Sequence, residues 1–506
     1  MEMLLAGFAS IFTVKTIMYI LGGVVIGIIV GAIPGMTVTM GVALFLPITF
    51  GMSPILGLSL LIALYIGGTS GGLISALLLK IPGTPASIAT TFDGSVMVEK
   101  GEAGKALGVG IVFSFIGGLF SAIVLAFISP FLAKIALKFG PYEYFSIALF
   151  SLTMIAGLSS GSLVKGLIAG MFGITMGFVG TAPITGFPRF TFGFYELDAG
   201  INLLPALIGL FAGAQILEYA GEKNKDNSNK AQVVDYKIKG FGFSMKEFIS
   251  QIGNAFRSAV LGTGIGILPG LGASVANIAA YGAAQKYSKY PEKFGTGIID
   301  GIVAPETANN ASTGGALVPL LTLGIPGDNT TAILLAGFMI HGISPGPLLF
   351  TNHGDLVYAI FAAVIVANIF MIIAAFAGMR GFVRILTVPK YILLPVVMAF
   401  CVIGSFGVNN RMFDVWTMLA FGVIGYLMGK FGFGKAPLIL GFILGPILEV
   451  NLRRGLMQSQ GSYAPFLTEP ISAIFLVITV IVVVMNVISE VKKARKRKED
   501  IIGSVV

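Results

Sequence analysis

Gly31-Ala-Ile-Pro34-Gly35-Met-Thr-Val-Thr39 returns in the second half of the chain as Gly266-Ile-Leu-Pro269-Gly270-Leu-Gly-Ala-Ser274. Both stretches interrupt long apolar runs. A Pro-Gly pair in such a run stops a helix, because proline lacks the N–H that a helix interior needs and glycine frees the next dihedrals. A second pair of elements follows in the same order: Ile81-Pro82-Gly83-Thr84 matches Ile325-Pro326-Gly327-Asp328, each preceded by a Gly-Gly pair, Gly71-Gly72 or Gly314-Gly315. Further on, Pro205-(x3)-Gly209-(x3)-Gly213 is echoed by Pro437-(x3)-Gly441-(x3)-Gly445. One plan is therefore used twice. The expected division is a first repeat over 1–220, a polar linker over 221–246 and a second repeat over 247–455, then a C-terminal span over 456–490 and a basic tail over 491–506.

Water is not the main solvent of this chain. Of 506 residues, 56% are hydrophobic and 11% charged, where a soluble domain carries roughly a quarter charged residues. Apolar stretches of about 20 residues recur along the whole length, each able to cross a hydrocarbon core, and suggest about eleven or twelve crossings or half-crossings. A β-barrel would alternate with period two, but Ile471 to Ile488 is apolar on every side. The expected fold is an all-α polytopic membrane protein of two inverted-topology repeats with broken Pro-Gly helices. The 69 glycines, among them the stripe Gly22-Gly23-(x3)-Gly27-(x3)-Gly31, suit close helix contact. Cys401 is the single cysteine, so no internal disulfide forms. The first apolar segment follows Glu2 and Lys15, shows no cleavage site, and reads as a retained span.

The net charge of +9 sits in a few loops and the tail, which argues topology rather than nucleic-acid binding. Lys492, Lys493, Arg495, Lys496, Arg497 and Lys498 follow the last span and place the C-terminus in the cytoplasm; contact with anionic lipid is a second reading of the same residues. The second-half Pro269-Gly270 element is flanked by Lys237, Lys239 and Lys246 upstream and Lys286, Lys289 and Lys293 downstream, whereas its first-half twin has only Lys15 before it. The other element reverses this: Lys100 and Lys105 follow Pro82-Gly83, yet no Lys or Arg occurs between Lys293 and Arg380. Such a swap is expected if the two halves enter the membrane from opposite sides. A duplication kept only for stability is the alternative.

Broken helices expose unpaired amides and carbonyls, which survive at membrane depth only in protein or beside a cavity. Half-helix N-termini then suit an anion and C-terminal carbonyls a cation. The neighbouring residues are hydroxyls, amides and two carboxylates. On this pattern the substrate-binding candidates are Gly35, Thr37, Pro82, Gly83, Thr84, Ser87, Thr90, Gly270, Ser274, Pro326, Gly327, Asn329 and Thr330. Glu306, Asn309, Asn310 and Asp328 are the ion-coupling candidates, since the two acids lie in a stretch without Lys or Arg and need a cation or proton to neutralise them. Sodium or a proton is the expected coupling ion, with no other metal or cofactor; an aqueous loop would serve Asp328 equally. His341 and His353 form no zinc-protease frame, and no Gly-x-x-x-x-Gly-Lys-Ser/Thr is present. No acid, base and nucleophile set argues for an enzyme.

Gly31-Ala-Ile-Pro-Gly, Leu46-Pro-Ile-Thr-Phe-Gly-Met, Ile81-Pro-Gly-Thr-Pro-Ala-Ser, Thr91-Phe-Asp-Gly, Lys100-Gly-Glu-Ala-Gly-Lys-Ala-Leu-Gly, Arg189-(x)-Thr-Phe-Gly and Gly324-Ile-Pro-Gly-Asp together resemble the large membrane subunit of the tripartite tricarboxylate transporters, the TctA type. The resemblance runs from about Gly22 to Glu449. It implies a bacterial inner-membrane permease that imports citrate or related carboxylates with an ion gradient, working with a small membrane subunit (TctB-like) and a periplasmic substrate-binding protein (TctC-like). Lys80, just before Ile81, adds a cation beside the first loop. A non-transport scaffold subunit, in which the broken helices are purely structural, is the competing reading.

Overall fold

The computed structural model describes residues 2–158, 162–221, 241–385 and 390–503; the linker expected over 221–246 falls largely outside them. The described chain is almost wholly helical. The first half comprises α1 (Glu2–Ile11), α2 (Val14–Ala32), α3 (Val38–Phe45), α4 (Pro54–Leu78), α5 (Thr90–Glu99), α6 (Ala103–Ala136), α7 (Pro141–Leu158), α8 (Leu163–Gly177), α9 (Leu203–Ile208) and α10 (Ala214–Gly221). The second comprises α11 (Met245–Ile267), α12 (Gly272–Tyr287), α13 (Asp300–Leu323), α14 (Asn329–Ile340), α15 (Pro347–Asn352), α16 (Gly354–Ile385), α17 (Lys390–Asn409), α18 (Met412–Lys430) and α19 (Lys435–Gln458), followed by α20 (Ala464–Thr468) and α21 (Pro470–Gly503). Among the described residues, eight helices are long and apolar enough to cross a membrane, and Val38–Thr49, Leu163–Gly177, Asn329–Ile340 and Val397–Asn409 are shorter apolar helices of half-span length. The protein is a multi-pass membrane protein.

Two compact units are present, one formed by Met1–Ala136 with Leu207–Val423, the other by Leu137–Ala206 with Ile424–Val506. Each half of the sequence contributes to both, so the units cut across the repeat rather than fall on the linker. In the second unit α8 runs alongside α19: Gly170 and Gly173 lie against the Pro437 and Leu438 carbonyls, and Arg189 pairs with Glu449 at 2.6 Å. Its α7 runs beside α21, with Ser146 and Ser472 hydroxyls 2.7 Å apart.

The first unit holds the repeat's core, and its glycines show how the halves correspond. A Cβ on Gly27 would strike the Leu64 carbonyl, and one on Gly31 the Gly68 carbonyl; in the second half Gly262 meets the Ala308 carbonyl and Gly266 that of Ser312. Residues 27 and 31 thus correspond to 262 and 266, and residues 64 and 68 to 308 and 312. The same spacing carries Gly71, against the Ile28 carbonyl, onto Gly315, against the Thr263 carbonyl. Gly71-Gly72 therefore corresponds to Gly315-Ala316, one residue away from the Gly-Gly match that the sequence suggests. In both halves a long helix is pressed onto a glycine-striped one, α4 on α2 and α13 on α11, at backbone contact that any side chain would prevent.

The two kinds of Pro-Gly break have different physical causes. Gly35 (φ 87°) and Gly270 (φ 83°) take the left-handed conformation that turns α2 into α3 and α11 into α12, where a side chain is strained. Gly83 and Gly327 are instead required by proximity: a Cβ on Gly83 would run into the Gly31 carbonyl and the Ser75 hydroxyl, and one on Gly327 would lie 2.6 Å from the Ala316 Cα and 2.7 Å from the Gly266 carbonyl. The loop after each long helix thus folds back onto the first break of its own half.

Candidate functional site

α13 is the helix that composition alone places worst, since Glu306, Thr307, Asn309, Asn310, Ser312 and Thr313 lie in it and every one is buried. A helix polar on its inward faces stays folded in an apolar surrounding only if its neighbours answer each polar group. Thr307, Ser312 and Thr313 turn their hydroxyls to carbonyls of α13 itself, whereas Glu306, Asn309 and Asn310 find partners in the first half.

The Glu306 carboxylate is fully buried and accepts the Thr90 hydroxyl at 2.6 Å on one oxygen and the Ser114 hydroxyl at 3.0 Å on the other. Thr90 opens α5 and Ser114 lies in α6. Asn277 of α12 donates to Thr90 Oγ1 at 3.2 Å and accepts the Ala89 amide at 2.8 Å, so a second-half helix fixes the start of α5. Asn309 donates to the Ala86 carbonyl at 2.9 Å. Asn310 donates to Asn309 Oδ1 at 2.7 Å and to the Glu306 carbonyl at 3.1 Å, and accepts Ser70 Oγ of α4 at 2.6 Å. Thr84 and Ser87 are buried one turn from this group, with hydroxyls 3.4 Å apart. Among the described residues no Lys, Arg or His forms an ion pair with Glu306.

Asp328 anchors a second group. It caps α14, accepting the Thr331 amide at 2.7 Å on Oδ1, and its Oδ2 accepts the Tyr65 hydroxyl of α4 at 2.6 Å. Helix N-termini favour such an acid, since its oxygen satisfies an otherwise orphan N–H and its charge opposes the dipole. Next to it, the Thr330 and Thr39 hydroxyls meet at 2.9 Å, joining α14 to α3. Asn329 is half-buried in the same turn, and the Gly327 carbonyl accepts the Gly270 amide at 2.7 Å.

The two groups are related by exchange. Tyr65 and Asn309 occupy equivalent positions on α4 and α13; Tyr65 reaches the loop after α13, and Asn309 reaches the loop after α4. A two-fold relation between similar units produces such reciprocity. Ser70 and Tyr65 share α4, and through Ser70 and Asn310 that helix ties the Asp328 group to the Glu306 group. Among the described residues the two loops are joined through α4 and α13 rather than directly, so the sequence candidates gather in two linked groups: Thr84, Ser87, Thr90, Glu306, Asn309 and Asn310 in one, Gly327, Asp328, Asn329 and Thr330 in the other. Pro82 and Pro326 lead into the loops. Gly35 and Gly270 shape the turns, with the Gly35 carbonyl accepting the Gln215 side-chain amide. Thr37 caps α3 by accepting the Met40 amide at 3.1 Å, and Ser274 is half-buried in the first turn of α12. Lys80 is paired with Glu99 at the exposed edge of the loop.

A family model described as "Tripartite tricarboxylate transporter TctA family" matches residues 17–440. The chain belongs to this family. It is also similar to two Agrobacterium vitis proteins. One, described as an uncharacterized 52.8 kDa protein in the TAR-I ttuC' 3'region, is 36% identical over 491 residues, 97% of each chain. The other, an uncharacterized protein in the TAR-II ttuC' 3'region, is 37% identical over 234 residues, 46% of this chain and 97% of its own. No solved structure matches. Membership makes the chain a component of a tripartite transporter, a family that pairs a membrane protein of this kind with a small subunit and a binding protein, and it is a family of transporters rather than enzymes.

Tyr65, Ser70, Ser114 and Asn277 belong to these groups and escape sequence reasoning centred on the breaks. Each is a polar residue set in an otherwise apolar or alanine-rich helix, which is itself a signal that the residue faces a polar partner.

Proposed function

We propose that the chain is the uptake permease of a binding-protein-dependent secondary transporter, importing tricarboxylates or related organic carboxylates on a sodium or proton gradient. Its place is the bacterial inner membrane, with the C-terminus in the cytoplasm. Alternating access comes from the two repeats moving about a site near the membrane midplane, where the broken-helix loops supply hydroxyls, amides and helix-end N–H groups to a carboxylate. Anion contacts fall to Thr84, Ser87, Asn329 and Thr330, and coupling to Glu306, Asn309 and Asp328.

The observation that carries this reading is Glu306: a fully buried carboxylate without an ion pair, held by hydroxyls of the other half of the chain. A scaffold gains nothing from such a group, because burying an unpaired charge is costly unless a bound ion or proton neutralises it. Inside a membrane, ionisable residues of this kind mark ion and substrate pathways. Membership of the tripartite family supports a small subunit and a binding protein as partners, which this reading places in the membrane and the periplasm.

Proteoliposomes carrying this chain, the small subunit and the binding protein, tested over a panel of labelled carboxylates with sodium present or absent, decide the matter. Uptake of one carboxylate class that needs all three proteins is expected. An assembled complex that moves none of them contradicts the proposal. Loss of one hydrogen bond to a charged ligand costs about 1.5–3 kcal/mol, so Thr84→Ala and Asn329→Ala are expected to raise the half-saturating substrate concentration roughly ten- to a hundredfold.

A further inference from the structure

We propose that Glu306 is a proton-binding site, and that the proton it carries is the coupling ion; the inference rests on the transport reading above. Its basis is the kind of donor that surrounds this carboxyl, set beside the other fully buried acid nearby. Asp93 of α5 receives the Gly297 and Ile298 amides at 2.7 and 3.0 Å on Oδ1 and the Tyr281 hydroxyl at 2.8 Å on Oδ2. Backbone N–H groups only donate. They clasp α5 to the loop before α13 and cannot turn round. Glu306 is held on its two oxygens by the Thr90 and Ser114 hydroxyls, with the Asn309 amide as a further donor beside them, and a hydroxyl both donates and accepts. When a proton adds to a Glu306 oxygen, the new O–H bond points at Ser114 or Thr90, whose hydroxyl accepts it and turns its own hydrogen elsewhere. For Ser114 the carbonyl one turn back in α6 is the ready acceptor, as it is for serines in helices. Asn277 continues to donate to Thr90 throughout. The site thus holds both protonation states with every polar atom answered.

A metal cation is less well served by this group. A hard cation is held by a shell of oxygens directed at it, but the oxygens of this group already face donors: Asn309 Oδ1 faces the Asn310 amide, Asn310 Oδ1 the Ser70 hydroxyl, the Ala86 carbonyl the Asn309 amide, and Thr90 Oγ1 the Asn277 amide. Several of the other titratable groups on α13 and on the helices packed around it are engaged elsewhere. Asp93 and Tyr281 bond each other, Tyr65 bonds Asp328, Arg257 of α11 bonds Asn254 and lies over the Tyr287 ring, Glu247 pairs with Lys105, and Asp300 accepts Gln251. Protonation from the side of higher proton activity and release to the other side then accompanies each substrate passage.

The test uses the three-protein complex in proteoliposomes, with the carboxylate that the complex transports. Exchange of labelled for unlabelled substrate, with no ion gradient, reads transport itself; accumulation in sodium-free buffer under an imposed pH gradient reads proton coupling. Each unit of pH gradient sustains up to about a tenfold substrate ratio per proton carried. The wild type is expected to exchange and to accumulate substrate against its gradient. In E306Q the accumulation ratio falls to about one and the remaining transport loses its pH dependence, while E306D restores a pH dependence with a displaced midpoint, a result that a merely structural role does not give. If the wild type exchanges substrate but accumulates it only on a sodium gradient, or if E306Q still accumulates on a pH gradient, the proton inference fails and the transport reading stands. A wild type that exchanges no carboxylate removes both. Should E306Q fail to assemble, the displaced pH midpoint of E306D decides alone, and an unmoved midpoint overturns the proposal.

Discussion

The loop after α4 and the loop after α13 are built on the same backbone plan with different chemistry. Both fold back so that a glycine, Gly83 or Gly327, touches the carbonyl of its own half's first break. In the first loop Thr84-Pro-Ala-Ser87 presents hydroxyls, whereas in the second Asp328-Asn-Thr-Thr331 presents an acid that caps a helix. The long helices differ in the opposite sense. α4 is apolar but for a few hydroxyls and Tyr65, and α13 carries Glu306 and two asparagines. Charge is thus distributed so that each loop meets a complementary helix from the other half. Geometry is duplicated and polarity is not, which gives one chain a symmetric frame around an asymmetric set of polar groups.

If the frame rests on backbone contact at these glycines, Gly327→Ala breaks it most severely. Its methyl would lie 2.6 Å from the Ala316 Cα and 2.7 Å from the Gly266 carbonyl, atoms that cannot move without shifting a helix. A loss of about 3 kcal/mol, the upper end of overpacking costs, is expected in detergent unfolding, with Gly83→Ala similarly affected. Gly22→Ala, with open space around it, is the control and is expected to be near neutral.

The exchange of contacts is probed next by Tyr65→Phe, which removes only the hydroxyl that reaches Asp328 at 2.6 Å. A hydrogen bond to a charged group contributes about 1.5–3 kcal/mol, so a thermal midpoint several degrees lower is expected with α14 still capped by Asp328. An unchanged midpoint would mean that α4 does not hold the second loop.

Much of this frame is legible in the sequence. Pro34-Gly35, Pro82-Gly83 and their second-half twins mark the breaks because proline and glycine act on the chain locally. Glu306 and Asp328 stand out because a carboxylate without a basic neighbour is rare in an apolar run. Pairing across the chain is not legible: nothing in α6 says that Ser114 faces Glu306, nor in α12 that Asn277 faces Thr90, since the rotation of each helix is set by tertiary contact. The offset of one residue between the two Gly-Gly pairs has the same cause. Identity marks them as a match, yet packing equates Gly71 with Gly315.

The smallest expected effect concerns the edge of the comparison. Lys80 adopts φ 55° where the second loop has Gly324 at φ 71°. A left-handed non-glycine residue costs about 1–2 kcal/mol, while its exposed ion pair with Glu99 returns about 0–1 kcal/mol. Lys80→Gly is therefore expected to be more stable than Lys80→Ala by about 1 kcal/mol in the same unfolding assay, and equal stabilities would show that the turn is unstrained.

The central claim is that the two halves are the same structure entering the membrane from opposite faces. The most direct measurement of it is labelling of single cysteines in a Cys401→Ser background, one at Ser53 before α4 and one at Thr296 before α13, both exposed and in matching loops. An impermeant thiol reagent applied to intact cells is expected to label the cysteine at position 53 and to reach the one at 296 only after the membrane is opened. Labelling of both from the same side would contradict the inversion.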